Sequence, residues 1–159
     1  MNIRILFISI ALFYCYDVFG QNQTLIDVLI QADEMHKIGN YKQEDKFLGE
    51  AETICISTGD TISEAYVGLL GMQSDFYNTF RNYEKAIEKQ LKAVSVAIKL
   101  KNVNLYCTSM DGLAMLYADS KQVEKAINLF EKFIEWEKGN LPTGDERLVN
   151  TLLHYGLYL

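Results

Sequence analysis

Two histidines, two cysteines and a spaced set of aspartates are the residues of this chain whose chemistry could be put to use. His36 and His154 each lack a second ligand at a spacing such as His-x-x-x-His, so neither begins a metal site. Beyond Cys15, which lies in the apolar N-terminal run, the thiols are Cys55 and Cys107, and an oxidising compartment would permit a bridge between them. They fall in different parts of the repeat described next, which predicts two small buried thiols instead. Neither a Gly-rich phosphate loop nor a nucleophile elbow is present. No polar set is spaced as a catalytic cluster would need, so the expectation is no enzyme, no cofactor and no metal. Asp33 and Asp75 recur 42 residues apart, and such carboxylates either keep an exposed face soluble or repel anionic segments in favour of basic or neutral ones.

The elements that would position these residues recur. Arg81-Asn-Tyr-Glu-Lys-Ala-Ile-Glu-Lys-Gln-Leu-Lys-Ala-Val94 returns as Lys121-Gln-Val-Glu-Lys-Ala-Ile-Asn-Leu-Phe-Glu-Lys-Phe-Ile134, with a fainter copy from Gly39 to Ala51. Tyr41, Tyr83 and Val123 mark a period of about 40–42 residues, in the range of stacked repeat architectures. A second pattern lies upstream of each copy: Val28-x-x-Gln31-Ala32-x-x-Met35, Leu70-x-x-Gln73-Ser74-x-x-Tyr77, and Met110-x-x-Leu113-Ala114-x-x-Tyr117. Leu152-x-x-Tyr155-Gly156-x-x-Leu159 closes the chain. The small residues Ala32, Ser74, Ala114 and Gly156 keep the same period, as expected of crevices that let a second helix approach closely. Ala86 and Ala126 would act likewise from the other side.

These two patterns resemble the tetratricopeptide repeat, whose Trp-x-x-Leu-Gly-x-x-Tyr is followed by Ala-x-x-x-Phe and then Pro. Met110, Leu113, Ala114, Tyr117, Ala126 and Phe130 fit in register, and the resemblance runs from about residue 22 to 159. The closing Pro is missing from every unit, Glu44 replaces a small residue, and Phe133 stands where Ala51 and Ala93 stand in the other copies. The period resembles that of the longer variety of the family. An all-α fold is therefore implied: a right-handed superhelical stack of antiparallel helix pairs, with units near 25–66, 67–106 and 107–148 and a partial fourth over 149–159. Such pairs bury their apolar faces by stacking on neighbours.

Local signals place the helices. Thr24 with Asp27, and Thr61 with Glu64, read as capping boxes. Gly39-Asn40 and Arg81-Asn82 read as turns within pairs, and Gly139–Gly144 as the longest loop. Helices are predicted near 24–38, 41–57, 62–80, 83–100, 104–119, 122–138 and 145–159. Gly68, Gly71 and Gly112 sit inside them, each costing about 1 kcal/mol against Ala. Either something approaches the backbone there or helices pack closely.

The resemblance also implies a groove lined by the first helix of each unit. Carried over by register, it takes Leu29, Asp33, His36 and Lys37 from the first unit. Met72, Asp75, Asn78 and Thr79 come from the second. Thr108, Asp111, Met115 and Asp119 come from the third, and Asn150 and His154 from the last helix. The implied role is a non-enzymatic interaction module that binds a basic or neutral partner polypeptide along its concave side. Its alternative is the extracytoplasmic sensor portion of a longer bacterial signalling receptor or regulator.

Composition narrows the remaining classes. Arg4, an apolar run from Ile5 to Tyr16, and Gly20 before a polar Gln-Asn-Gln read as an export signal over residues 1–20 cut before Gln21. An uncleaved anchor is the competing reading, but a spanning helix needs about 20 apolar residues and Asp17 interrupts this run. The expected location is the periplasm or cell envelope. A net charge of −6 and no basic cluster argue against nucleic acid, which is held through phosphate neutralisation. The last helix is apolar nearly all round, predicting self-association or continuation of the chain through it.

Overall fold

The computed structural model describes residues 23–157, all of whose regular structure is helical. The expected export signal over residues 1–20, its cut before Gln21, Cys15 and the closing Leu159 lie outside the described residues. The chain divides into two compact units, Met1–Thr61 and Ile62–Leu159.

In the first unit, α1 (23–37) is followed by α2 (Tyr41–Thr58). Leu25, Val28 and Ala32 on α1, and Leu48, Ala51 and Cys55 on α2, are buried at helical spacing. Glu44 shares the buried stripe of α2, where the repeat calls for a small residue. Its carboxylate meets His36 Nδ1 at 3.0 and 3.1 Å, so a polar pair stands where two apolar surfaces would otherwise meet. Thr24 does not cap α1, which already includes residue 23; Asp27 instead accepts from Gln23 Nε2 at 3.0 Å.

The second unit contains α3 (Glu64–Thr79), α4 (Tyr83–Leu100), α5 (Val103–Asp119), α6 (Val123–Asn140) and α7 (Glu146–Leu157). Each helix packs on the next. In addition α3 touches α5 and α5 touches α7, whereas α4 and α6 do not meet. The first helices of successive pairs thus form the closer layer of this unit, with α4 and α6 behind it. Ser74 and Ala114 lie fully inside, and the Ser74 hydroxyl donates to the Ala86 carbonyl at 3.0 Å, so that small side chain fastens the neighbouring helix as well as admitting it. Gly156 is exposed and has nothing within 4 Å of where a Cβ would lie, so the expected fourth crevice is not formed among the described residues.

One turn geometry serves repeatedly. Gly39, Arg81, Lys101 and Lys121 adopt φ of 70°, 56°, 54° and 63°. The next amide reaches back along the chain, from Asn40, Asn82, Asn102 and Gln122 to the carbonyls of Met35, Tyr77, Ala97 and Tyr117, which closes the helix end. The three asparagines then cap the following helix by accepting from Gln43, Lys85 and Leu105 amides. Gln122, one methylene longer, makes no such cap; its side chain engages Lys125 and Ser120 instead.

Two boundary expectations are corrected. Ser63, whose hydroxyl accepts from the Tyr66 amide at 3.1 Å, caps α3 in place of Thr61, and Glu64 becomes the first helical residue. Gly139 and Asn140 belong to α6 and not to the loop, because the Asn140 side chain and the Leu141 amide tie the last turn to the Trp136 and Glu137 carbonyls.

The helical glycines divide. A Cβ at Gly112 would lie 2.8 Å from Gln90 Nε2, which is committed to the Ser109 carbonyl at 2.9 Å, so close packing accounts for that glycine. A Cβ at Gly68 or Gly71 would meet nothing within 4 Å among the described residues. Gly71→Ala is expected to raise stability by about 1 kcal/mol in urea denaturation, whereas Gly112→Ala gains nothing because it breaks the Gln90 bond.

Candidate functional site

The expected groove residues of the first two pairs fall in the two separate units. Asp33 forms an ion pair with Lys37 one turn on, Leu29 is half-buried, and His36 faces Glu44. In the second unit Met72 and Asn78 are half-buried, Asp75 and Thr79 lie toward solvent, and Thr79 donates to the Asp75 carbonyl at 3.0 Å. Met115 is turned to the apolar cluster beneath it, and Asp119 is exposed at the end of α5.

The third pair and the last helix behave differently. Thr108 and Asp111 from α5 and Asn150 and His154 from α7, all four expected from the repeat register, line one recess of about 220 Å³. The side chains are brought together by the contact of α5 with α7. His154 Nδ1 lies 2.6 Å from Asp111 Oδ2, crossing from one helix to the other. Leu148 and Tyr155 fix the height of α7 by packing on the buried cluster of Ala114, Phe130 and Ile134.

Four further residues complete the lining: Cys107, Glu137, Arg147 and Thr151. Glu137 comes from α6, behind the first-helix layer, and is 0 % exposed. Neither of its carboxylate oxygens has a hydrogen-bond partner in the protein, nor has Asp111 Oδ1. The Thr151 hydroxyl works against the upward shift of the Glu137 carboxyl. Its bond, however, goes to the Arg147 carbonyl at 3.1 Å, and that geometry decides the matter. Burial pushes the Glu137 carboxyl above the usual carboxylate range. Asp111 is pushed up by the same cause, with His154 opposing it.

The basic residue at the rim is already engaged. Arg147 holds Asp145 through Nε to Oδ1 at 2.7 Å and Nη2 to Oδ2 at 2.6 Å, with a further bond to Asn104. That fork keeps Asp145 ionised down to about pH 2 and balances the Arg147 charge with a carboxylate other than Glu137. Cys107 is free and buried, and burial raises its thiol to about 11, which makes it an inert wall. Cys55 is likewise free and buried.

Glu137 escapes a reading that assigns charged residues to solvent. Its signal is the apolar stripe it interrupts, Phe130, Phe133, Ile134 and Glu137 at i, i+3, i+4 and i+7. The repeat also serves as its own alignment: Cys55 on α2 and Ala97 on α4 occupy the equivalent position, and all three are 0 % exposed. Where two copies hold a small apolar side chain, the third holds a carboxylate.

Among the described residues no helix is long and apolar enough to cross a membrane, and no group of three or more His, Cys, Asp or Glu is arranged to hold a metal ion. No family model matches the chain, and no curated protein does. Solved structures do. A putative kinesin light chain of nearly identical TPR-like repeats from Podosopora anserina superposes with a TM-score of 0.73 at 15% identity, over 84% of this chain and 64% of that one. A point-substituted form of the same protein gives 0.74 over the same shares. BtubC (BKLC) from P. vanneervenii gives 0.73 at 18% identity, over 82% of this chain and 53% of that one. This chain therefore spans less than two thirds of each, and the likeness is one of fold.

Proposed function

We propose, with a tetratricopeptide-like helical-repeat fold as the premise, that this chain is an exported interaction module that holds a basic or neutral extended segment of another protein. The observation that carries the reading is the layer of α3, α5 and α7, with a polar recess between α5 and α7. Two carboxylates, Asp111 and Glu137, line that recess, and its one arginine is paired with Asp145, so electrostatic complementarity favours cationic over anionic partners. Backbone-extended segments suit a face built from parallel rows of side chains at regular spacing. The apolar stretch with Arg4 at the N-terminus supports export. Catalysis has no support, since the recess offers unpartnered carboxylates without a nucleophile activated by a base.

An array of random peptides, each about a dozen residues long and matched to an extended-segment ligand, tests this reading when probed with labelled protein. The captured sequences are expected to be enriched in Lys and Arg and depleted in Asp and Glu, with capture weakening as salt is raised. Absence of capture, or capture without charge bias, overturns it.

A further inference from the structure

We propose that the recess between α5, α6 and α7 is a receptor for a primary ammonium group, the Lys side chain of a bound segment. This deepens the reading above and rests on it. An ammonium carries three N–H donors and no acceptor. The recess presents three acceptor atoms without partners: Glu137 Oε1, Glu137 Oε2 and Asp111 Oδ1. The match is one of number and of sign. A guanidinium, planar with five donors in a fixed fork, asks for more acceptors than the recess leaves open.

A buried carboxylate without a donor is costly unless something supplies the missing charge. Arg147 turns three of its five donors to Asp145 and Asn104, and Asp145 already balances its charge. His154 answers the other oxygen of Asp111. The remaining group at the wall, Cys107, carries no charge at neutral pH. Two carboxylates, therefore, face one imidazole and an arginine already paired with Asp145, and the Glu137 end of the recess is left for an incoming cation. Thr108 and Asn150 are exposed at the mouth, where they can meet the segment that carries it.

Because burial raises the Glu137 carboxyl, a cation that requires its ionised form expels a proton on binding. Affinity is then expected to rise with pH across the range in which Glu137 ionises.

N-acetyl-lysine amide, N-acetyl-arginine amide and N-acetyl-norleucine amide, titrated into the isotope-labelled chain and followed by NMR, test the inference. The lysine probe is expected to shift the signals of Thr108, Asp111 and Thr151 saturably, and the other two to leave them in place. Glu137→Gln, close in shape, is expected to weaken the lysine probe at least tenfold while thermal unfolding stays cooperative. Should Glu137→Gln unfold the chain, Asp111→Asn serves in its place with the same tenfold expectation. Basic peptides captured on the array without any lysine-probe shift, or an arginine probe that binds more tightly, would sink this inference and leave the broader reading standing. Loss of all peptide capture would remove that reading itself.

Discussion

Phe130→Ala is expected to cost about 3–5 kcal/mol of stability, the usual range for emptying a fully buried phenylalanine site. Phe130 is 0 % exposed and forms the centre of a cluster with Ala114 and Ile134, on which Met115, Leu129, Leu148 and Tyr155 pack. Its ring centre is 5.8 Å from that of Tyr155, so the side chain is the seat of α7 as well as the lock between α5 and α6. Stacked repeats exchange stability mainly with their neighbours. The loss should therefore appear first as faster hydrogen exchange of the α7 amides, and the recess between α5 and α7 should go with it. Urea denaturation gives the total and exchange gives its distribution. A cost below about 1 kcal/mol, or α7 amides as protected as before, would show that the cluster does not hold this end together.

That Phe130 could be named from the sequence at all reflects what repeats make visible. Ala126-x-x-x-Phe130 is a copy of a packing solution, and a copied solution is conspicuous because its period exceeds any single helix. The same redundancy placed α4 at its observed bounds and put Ala32, Ser74 and Ala114 inside. It misled at Gly156, where the pattern continues but no second helix follows among the described residues to fill the crevice. Local capping signals were less secure, since Thr61 and Ser63 are equally good hydroxyl caps and the choice falls to whichever hydroxyl meets a free amide in the first turn. The groove register found half of the recess, namely Thr108, Asp111, Asn150 and His154. It missed Cys107, Arg147 and Thr151 on those same helices, and Glu137 on the rear one, for which a first-helix rule has no place. Comparing the three copies position by position, Cys55, Ala97 and Glu137, would have exposed it.

Glu137→Leu is expected to raise stability at pH 7 by about 1–3 kcal/mol, the usual cost of a buried polar group without a partner and a lower bound for a charged one. The two side chains are close in size, so the exchange leaves no large void, and a buried ion is often replaced by an apolar side chain at a net gain. The sign with pH follows from the upward shift of the Glu137 carboxyl. A carboxyl raised in the folded chain binds its proton more tightly there than in the unfolded chain. Its favourable contribution is complete below the ordinary glutamate range and is lost as pH rises through the folded value. The advantage of the leucine variant should accordingly be small near pH 4 and grow toward pH 7. Groups facing Glu137 from the other elements move within or outside that window in known ways. Asp111 on α5 is also shifted upward and adds to the same trend, and Asp145 at the start of α7 titrates near pH 2 and stays ionised throughout. Cys107 remains protonated, with Arg147 ionised across the range. Thermal unfolding of both chains from pH 4 to pH 8 makes the measurement. A variant less stable than the parent at pH 7 would mean that Glu137 has a donor after all, and the lysine receptor would lose its vacant acceptors. A more stable variant that no longer shifts with N-acetyl-lysine amide would show the opposite: the chain keeps a destabilising carboxylate in its core because binding needs it there.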